Sequence, residues 1–275
     1  MDITGNTKIT GLFGYPVEHT LSPAMHNAAF DHLGMNCRYL PFVVHPGLLG
    51  AAVGSITALN LVGVNVTVPH KESVIPFLDE VDEEAAFIGA VNTIVRRESK
   101  LHGFNTDGRG FMRSLSEHNI RVEGTKILVI GAGGASRAIS YYLSEKSRAL
   151  FLYDVAIEKR DALVSDLSRI RKNVSALGRL ENLESFELII NATPLGLKRD
   201  DPVPLDTSRL STDQVVCDLI YRQTRLLQEA SQRGCRTLDG LGMLLWQGVL
   251  AFELWTGVMP PVEIMQNALL QSIER

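Results

Sequence analysis

Several features are scarce or absent in this 275-residue sequence, and each absence argues against a class of protein. The three cysteines, Cys37, Cys217 and Cys235, form no CxxC pattern, and their odd number argues against a disulfide framework. No run of Lys or Arg is present and the net charge is −4, so we expect no nucleic-acid partner and no membrane-surface partner. No segment is long and apolar enough to span a bilayer, and the polar first ten residues lack the layout of a signal peptide. We therefore expect a cytoplasmic protein.

The chain does contain an alternation of strand-like apolar runs and helix-like stretches. Hydrophobic residues make up 45% and charged residues 21%, as in a folded globular protein. The predicted strands are 8–14, 38–44, 62–69, 90–96, 101–107, 125–131, 148–154, 186–193 and 214–221. The predicted helices are 22–34 with Ser22 as N-cap and Gly34 as stop, 47–60, about 71–88, and the tail from 241 to 275. This pattern predicts an α/β fold with a mostly parallel sheet.

The stretch "NVTVPHK" (65–71) ends a predicted strand with polar residues. Asn65 and Thr67 share one face because side chains alternate along a strand, and Pro69 marks the strand end. Lys71 then lies just beyond the strand tip, where α/β proteins place ligands. Taken alone, this segment fits either an edge strand followed by a solvated lysine or a functional site.

A glycine-rich turn, "GAGGASRA" (131–138), follows an apolar strand and opens a predicted helix. It fits the dinucleotide fingerprint except at its last position, where Ser136 replaces glycine or alanine. The glycines allow a pyrophosphate to approach the backbone at a helix N-terminus. Asp154 ends the next strand, where an acid accepts hydrogen bonds from the ribose hydroxyls of NAD. The alternative is a glycine-rich turn with no ligand.

An ordered set of motifs across nearly the whole chain resembles the shikimate dehydrogenase family, which includes shikimate and quinate dehydrogenases. The motifs are "GYPVEHTLSPAMHN" (14–27), "NVTVPHK" (65–71), "GAVNT" (89–93), "NTDG" (105–108), "GAGGASRA" (131–138), "NATPLG" (191–196) and "DGLGMLLWQG" (239–248). The resemblance implies NAD(P)-linked interconversion of 3-dehydroshikimate and shikimate in aromatic amino-acid biosynthesis. It also implies an α/β substrate-binding domain, residues 1–105 with the returning helices of 240–275, and a Rossmann-type dinucleotide-binding domain, residues 106–239.

The resemblance also implies roles for individual residues. Lys71 and Asp107 match the catalytic pair of the family, which suits a reaction that builds negative charge on a ketone oxygen. Thr20, Ser22 and Tyr221 would bind the substrate carboxylate, and Asn65, Thr67, Asn92, Asp107 and Gln247 would bind its ring hydroxyls. The cofactor site would comprise Gly131, Ala132, Gly133, Gly134, Ala135, Asp154, Thr193, Leu219 and Gly240. No metal is expected, because His19, His26 and His70 lack metal-ligand spacing.

Two departures from the family pattern affect ligand choice. Thr20 stands where the family usually has serine, and its methyl group narrows the carboxylate pocket. After the second strand of the cofactor domain, members that use NADP carry an "NRT"-like run with a further arginine, whereas this chain reads "YDVAIEKR" (153–160). Asp154 and Glu158 would repel a 2′-phosphate, so the residues favour NAD(H). NADP(H), the family habit, stays a live alternative because Lys159 and Arg160 are nearby.

Three other functions stay open at this point. A quinate dehydrogenase that uses NAD would share nearly every motif. A non-enzymatic NAD-binding regulator would be expected to have lost Lys71 or Asp107. Other amino-acid dehydrogenase-like folds would not require Thr20, Ser22 and Gln247 together. We expect a small-molecule substrate and either a monomer or a homodimer.

Overall fold

The computed structural model describes residues 2–273, and the chain divides into two compact units. The first unit runs up to Thr106 and resumes at Leu245, and the second unit is Asp107–Leu244. The sequence instead predicted borders after residues 105 and 239. None of the helices in residues 2–273 combines the length and apolar character that a bilayer crossing requires.

The strands, in chain order, are β1 (Lys8–Gly14), β2 (Cys37–Val43), β3 (Gly63–Val66), β4 (Glu80–Val81), β5 (Thr93–Arg97), β6 (Lys100–Phe104), β7 (Lys126–Ile130), β8 (Ala149–Tyr153), β9 (Val174–Ala176), β10 (Leu188–Asn191), β11 (Val215–Asp218) and β12 (Arg236–Leu238). The α-helices are α1 (Ser22–His32), α2 (Leu49–Ala58), α3 (Glu83–Ile88), α4 (Asp107–Glu117), α5 (Gly134–Lys146), α6 (Ile157–Ser168), α7 (Arg225–Gln232), α8 (Leu241–Thr256) and α9 (Val262–Ile273).

The first unit contains a six-stranded sheet in the order β2-β1-β3-β5-β6-β4. β1 pairs in parallel with β2 and β3, and α1 and α2 provide the crossovers that parallel strands need. β5 and β6 form an antiparallel hairpin. Val64, Val66 and Ile94 share one buried cluster with Val53 and Ile56 of α2. The C-terminal helix α9 packs against α1, so the helical tail returns to this unit.

Two expectations for the first unit were wrong. The stretch from Lys71 to Ile88 is not one helix but turns, a 3₁₀ segment at Ile75–Phe77, β4 and the short α3. Pro76 lacks an N–H for a continuous helix, and β4 pairs with β6 instead. Ser22 is the first residue of α1 rather than its N-cap, which is Leu21 without a side-chain cap.

The second unit contains a fully parallel sheet in the order β12-β11-β10-β7-β8-β9. The central strands β7, β8, β10 and β11 match the predicted apolar runs. β7, β10 and β11 are buried on both faces, whereas β8 alternates half-buried and buried residues. The short outer strands β9 and β12 were not predicted. The strand order reverses between β7 and β10, where doubly wound sheets place their ligands. The α/β fold class is confirmed.

Candidate active site

Asn65, the third residue of β3, lies in a buried network of amides and hydroxyls in the first unit. It is 4% exposed. Its Nδ2 donates to the carbonyl oxygen of Asn92 and to Oγ1 of Thr93, both at 3.1 Å. Its Oδ1 accepts a hydrogen bond from the Tyr39 hydroxyl at 2.9 Å. Two predicted substrate-binding residues, Asn65 and Asn92, are therefore directly bonded.

The network continues from Asn92 to helix α8 through Thr106. Nδ2 of Asn92 donates to Oγ1 of Thr106 at 2.9 Å, and Oδ1 of Asn92 accepts from the Thr106 backbone N–H at 2.8 Å. The Thr106 hydroxyl donates to the carbonyl oxygen of Gln247 at 3.1 Å. The fold thus joins Asn65, Asn92 and Gln247 into one bonded chain, although 141 positions separate Thr106 from Gln247.

Two of the three residues predicted to bind the carboxylate, Thr20 and Ser22, lie just before and at the start of α1. Thr20 is half-buried, and its Oγ1 accepts from the backbone N–H of Ser22 at 3.3 Å. Ser22 is buried. Thr67 follows β3 and is half-buried, with its backbone N–H bonded to the carbonyl oxygen of Phe13 at 2.9 Å.

The two residues predicted to be catalytic belong to different units. Lys71 is half-buried in the first unit, and its carbonyl oxygen accepts from the Val91 N–H at 2.8 Å. This bond fixes the Lys71 backbone beside the residue that precedes Asn92. Asp107 is buried in the first turn of α4 in the second unit, where a helix dipole favours a carboxylate. Their pairing stays a prediction.

His70, which precedes Lys71, has a structural role. It is buried, and its Nε2 lies 2.7 Å from the carbonyl oxygen of Val44. Because a carbonyl only accepts, Nε2 carries the proton. Within residues 2–273, no group of three or more His, Cys, Asp or Glu side chains could hold a metal ion.

In the second unit, the glycine turn has the backbone that the fingerprint requires. Gly131 has a φ of +111°, and a Cβ built there would lie 2.8 Å from the Ala192 carbonyl oxygen. Only glycine fits that conformation and that space. Gly133 is the N-cap of α5 and Gly134 its first residue, while the neighbouring Ala132 is buried and Ala135 half-buried.

Ser136 has a specific reason to replace glycine or alanine in this turn. It is fully buried, and its Oγ donates to the carbonyl oxygen of Gly131 at 2.6 Å. The hydroxyl therefore closes the turn from within the helix.

Asp154 connects the end of β8 to the glycine turn. Its Oδ2 accepts from the Ala132 N–H and its Oδ1 from the Ala156 N–H, both at 2.7 Å. Each carboxylate oxygen has a second lone pair for a ligand hydroxyl. The carboxylate therefore shapes the turn, a contact that sequence spacing did not reveal.

Two arginines of the second unit, Arg137 and Arg160, each form an ion pair with a carboxylate other than Asp154. Arg137 is 2.8 Å from Asp166. Arg160 is 2.8 Å from Asp161, and its Nη1 donates to the Leu177 carbonyl oxygen at 3.0 Å. Both guanidinium groups are mostly buried in these arrangements.

The remaining predicted cofactor residues surround the ends of β10 and β11. Oγ1 of Thr193 donates to Oδ1 of Asn191 at 2.7 Å, and the Leu219 N–H donates to the Asn191 carbonyl oxygen at 3.0 Å. Gly240 packs so closely that an added Cβ would meet the carbonyl of Leu219. Asn191 thus holds Thr193 and Leu219 together.

Two ionisable groups near these strand ends have perturbed pKa values. Burial raises the pKa of the Asp218 carboxyl, although Thr224, Ile220 and Asn191 all donate to it. Burial likewise raises the pKa of the Tyr221 phenol, which lies half-buried after β11.

These features define the class of each unit. A glycine turn, a helix N-terminus and an acid at the carboxyl edge of this parallel sheet characterise a Rossmann-type dinucleotide-binding unit. The amides and hydroxyls of the first unit suit a ligand with several hydroxyl groups.

Comparison with known proteins identifies the family. The model of the shikimate dehydrogenase substrate binding domain matches residues 12–94, and that of the shikimate 5'-dehydrogenase C-terminal domain matches residues 240–270. A shikimate dehydrogenase (NADP+) from Desulforamulus reducens is 47% identical over 99% of this chain and 98% of its own length. Another, from Carboxydothermus hydrogenoformans, is 45% identical over 98% of this chain and 99% of its own.

Solved structures agree with these relatives. A shikimate dehydrogenase in complex with NADP+ has a TM-score of 0.94 and 40% identity, covering 100% of this chain and 98% of that one. A shikimate 5-dehydrogenase from Listeria monocytogenes, in complex with shikimate and NAD, has a TM-score of 0.89 and 34% identity, covering 97% and 98%. A quinate dehydrogenase from Corynebacterium glutamicum, in complex with NAD, has a TM-score of 0.89 and 31% identity, covering 96% and 99%. The chain belongs to the shikimate dehydrogenase family, as its motifs predicted.

Proposed function

We propose that this protein is an enzyme that interconverts 3-dehydroshikimate and shikimate, with a nicotinamide dinucleotide as the redox partner. The observation that carries the proposal is the buried chain of amides and hydroxyls through Asn65, Asn92, Thr106 and Gln247. Its neutral donors and acceptors suit a polyhydroxylated acid, and it lies beside the backbone of Lys71. The names of the relatives with 45–47% identity support the same activity.

We assign substrate binding to the first unit and cofactor binding to the second. In the first unit, Thr20 and Ser22 donate to the substrate carboxylate, and Asn65, Thr67, Asn92 and Gln247 bind ring hydroxyls. The second unit contributes Tyr221 to the carboxylate and Asp107 to a ring hydroxyl. The glycine turn with Asp154 would hold the pyrophosphate and the adenosine ribose, and Thr193, Leu219 and Gly240 would bind the rest of the cofactor.

In the proposed mechanism, Lys71 donates a proton and the negative charge of Asp107 supports the Lys71 ammonium. A nicotinamide cofactor, when bound, would supply the hydride. As negative charge develops on the ketone oxygen, the Lys71 ammonium stabilises it and then donates a proton to that oxygen. Asp107 favours the charged form of this ammonium, because an opposite charge raises the pKa of a lysine.

A steady-state assay with shikimate tests the proposal, with quinate as the parallel substrate. Turnover of shikimate with a higher kcat/KM than quinate is expected. A higher kcat/KM for quinate would favour quinate dehydrogenase activity instead, an alternative that the structural similarity to a quinate dehydrogenase supports. No turnover of either compound would refute the proposal.

For the cofactor, we propose a preference for NAD(H) over NADP(H), although the two relatives compared above are NADP+ enzymes by name. Asp154 can accept hydrogen bonds from two ribose hydroxyls, while a 2′-phosphate would face its charge. Of the two cations that could offset that charge, Arg160 is bound to Asp161 and Lys159 is exposed; the other arginine of this region, Arg137, is bound to Asp166.

The expected preference follows from the charge repulsion. Two unit charges about 4 Å apart repel by about 4 kcal/mol at an effective dielectric constant of about 20, before screening. One third of that energy corresponds to a preference of about tenfold. The ratio of kcat/KM for the two cofactors measures it, and Asp154→Asn should improve the use of NADP. A clear NADP preference in the unmodified enzyme would refute the argument.

We also propose that the enzyme works in the cytoplasm as a monomer or homodimer. Cys37, Cys217 and Cys235 are buried free thiols, as expected in a reducing compartment. Light scattering in solution would measure the oligomeric state.

A further inference from the structure

Tyr39 on β2 is held in place from both its backbone and its ring. Its N–H donates to Oδ1 of Asn27 at 2.8 Å, and its carbonyl oxygen accepts from Nδ2 of Asn27 at 3.0 Å. Its ring is fully buried and stacks on the imidazole of His26, with centroids 4.4 Å apart and planes 11° from parallel. Asn27 and His26 both belong to α1, the helix that begins with Ser22. The phenol therefore has a fixed position relative to that helix.

The hydrogen bonds around Asn65 determine which way its amide points. Its Nδ2 contacts the carbonyl oxygen of Asn92, which can only accept, so the assignment of nitrogen and oxygen is unambiguous. The second Nδ2 hydrogen goes to Oγ1 of Thr93. Both amide hydrogens are used, and Oδ1 must be the acceptor of the Tyr39 hydroxyl hydrogen.

This arrangement determines what Asn65 can offer a ligand. Its nitrogen has no hydrogen left, whereas Oδ1 retains one lone pair beside the bond from Tyr39. Asn65 can therefore accept from a ligand hydroxyl but cannot donate to one. The Tyr39 bond satisfies this buried oxygen and holds it in that orientation, and loss of the bond would leave a buried acceptor to compete for other donors.

We propose that Tyr39 is a positioning residue of the substrate site, which keeps Asn65 as a pure acceptor for a hydroxyl group of the substrate. This inference rests on the proposed function and adds a residue to it. Tyr39 is also hydrogen-bonded to Asn27 of α1, the helix that begins with Ser22. Tyr39 thus connects the parts of the site that bind the ring hydroxyls and the carboxylate.

Tyr39→Phe tests this role because it removes only the hydroxyl and keeps the ring stacked on His26. The KM for shikimate should rise about tenfold, the equivalent of one net hydrogen bond. The kcat should change by less than about threefold, and the KM for the cofactor should not change, because the effect lies in substrate binding. This split separates positioning from general loss of structure, which would lower the active fraction and hence kcat.

Thr10→Val is the matched control. Thr10 is fully buried on β1 directly opposite Tyr39, and its hydroxyl lies 3.4 Å from the Arg38 carbonyl oxygen, away from Asn65. Thr10→Val removes a buried hydroxyl from the same sheet as Tyr39 without affecting Asn65. The KM of this variant for shikimate should therefore stay within about twofold of the wild-type value.

Thr93→Val provides a second variant if Tyr39→Phe does not fold. It removes the Oγ1 that accepts from Asn65, so the same rise in KM without a matching fall in kcat is expected. An unchanged KM in the folded variant, or an equal rise in Thr10→Val, would overturn the role of Tyr39 while leaving the proposed function intact. A wild-type enzyme that does not turn over shikimate would refute the proposed function, and this inference with it.

Discussion

Protonation of His26 should destabilise the first unit as the pH falls. The imidazole is fully buried, and neither ring nitrogen has a hydrogen-bond partner among residues 2–273. It stacks on Tyr39 and lies near the rings of Phe252 and Trp255. Desolvation by these apolar surroundings lowers the pKa of His26 from 6.5 to about 3.

The sign and size of the effect follow from the two pKa values. Between pH 6.5 and about 3 the unfolded chain binds a proton at His26 that the folded chain does not bind. The contribution of His26 to the free energy of unfolding is therefore complete above pH 6.5 and is lost as the pH falls. Below pH 6.5, each pH unit lowers the free energy of unfolding by about 1.4 kcal/mol, so the loss at pH 5 is about 2 kcal/mol.

Urea unfolding followed by tryptophan fluorescence measures this loss. The protein has two tryptophans, Trp246 and Trp255, and both belong to the same unit as His26. The unfolding free energy should be determined at pH 7 and pH 5 for the wild type and for His26→Phe. Phenylalanine keeps the stacked ring and removes the titrating group, so the drop between the two pH values should be about 2 kcal/mol smaller in the variant.

The comparison between variants isolates His26, because every other titrating group is present in both proteins. Equal drops in the wild type and His26→Phe would show that the imidazole is not the source of acid sensitivity. His26→Leu, which also lacks a titrating group, should behave as His26→Phe does, and a wild-type-like drop in that variant would refute the reasoning as well.

Three further predictions concern Lys71 and two pairs of glycines. Lys71→Met should lower kcat for shikimate by about two to four orders of magnitude with little change in KM, and near-normal kcat would remove Lys71 from the mechanism. Gly131→Ala should destabilise the protein in thermal denaturation by about 1–3 kcal/mol, because its φ of +111° strains any other residue. Gly133 has a φ of −81° and open space around its Cα, so Gly133→Ala should keep wild-type stability but weaken cofactor binding in a fluorescence titration. Equal stabilities of Gly131→Ala and Gly133→Ala would contradict the argument from φ. Gly63→Ala would place a Cβ 2.3 Å from a backbone oxygen of the neighbouring strand and should cost about 3 kcal/mol in urea unfolding. Gly54 lies in open space on α2, so Gly54→Ala should instead stabilise the protein by about 0.5–1 kcal/mol. A change in unfolding free energy of the same sign in Gly63→Ala and Gly54→Ala would refute the packing argument.

The central strands of the second unit could be predicted from sequence because their signal is local. β7, β10 and β11 are apolar runs buried on both faces, and β8 is an apolar run that alternates half-buried and buried residues. The three-residue strands β9 and β12 carry no such run, and they exist because a paired neighbour offers free backbone groups. The stretch from Lys71 to Ile88 shows the opposite error, since helix-compatible residues there form β4 against β6.

The residues of the candidate site divide in the same way. The glycine turn at Gly131 and the placement of Asp154 after β8 follow from short-range rules of turn geometry and strand length, so both could be predicted from local sequence. The hydrogen bond that the Ala132 N–H donates to Asp154, the hydroxyl of Ser136 and the role of Tyr39 could not be found that way. Tyr39 and Asn65 are 26 positions apart and meet because β2 and β3 flank β1. Only tertiary structure decides which donor a buried acceptor receives, because burial removes the water that would otherwise satisfy it.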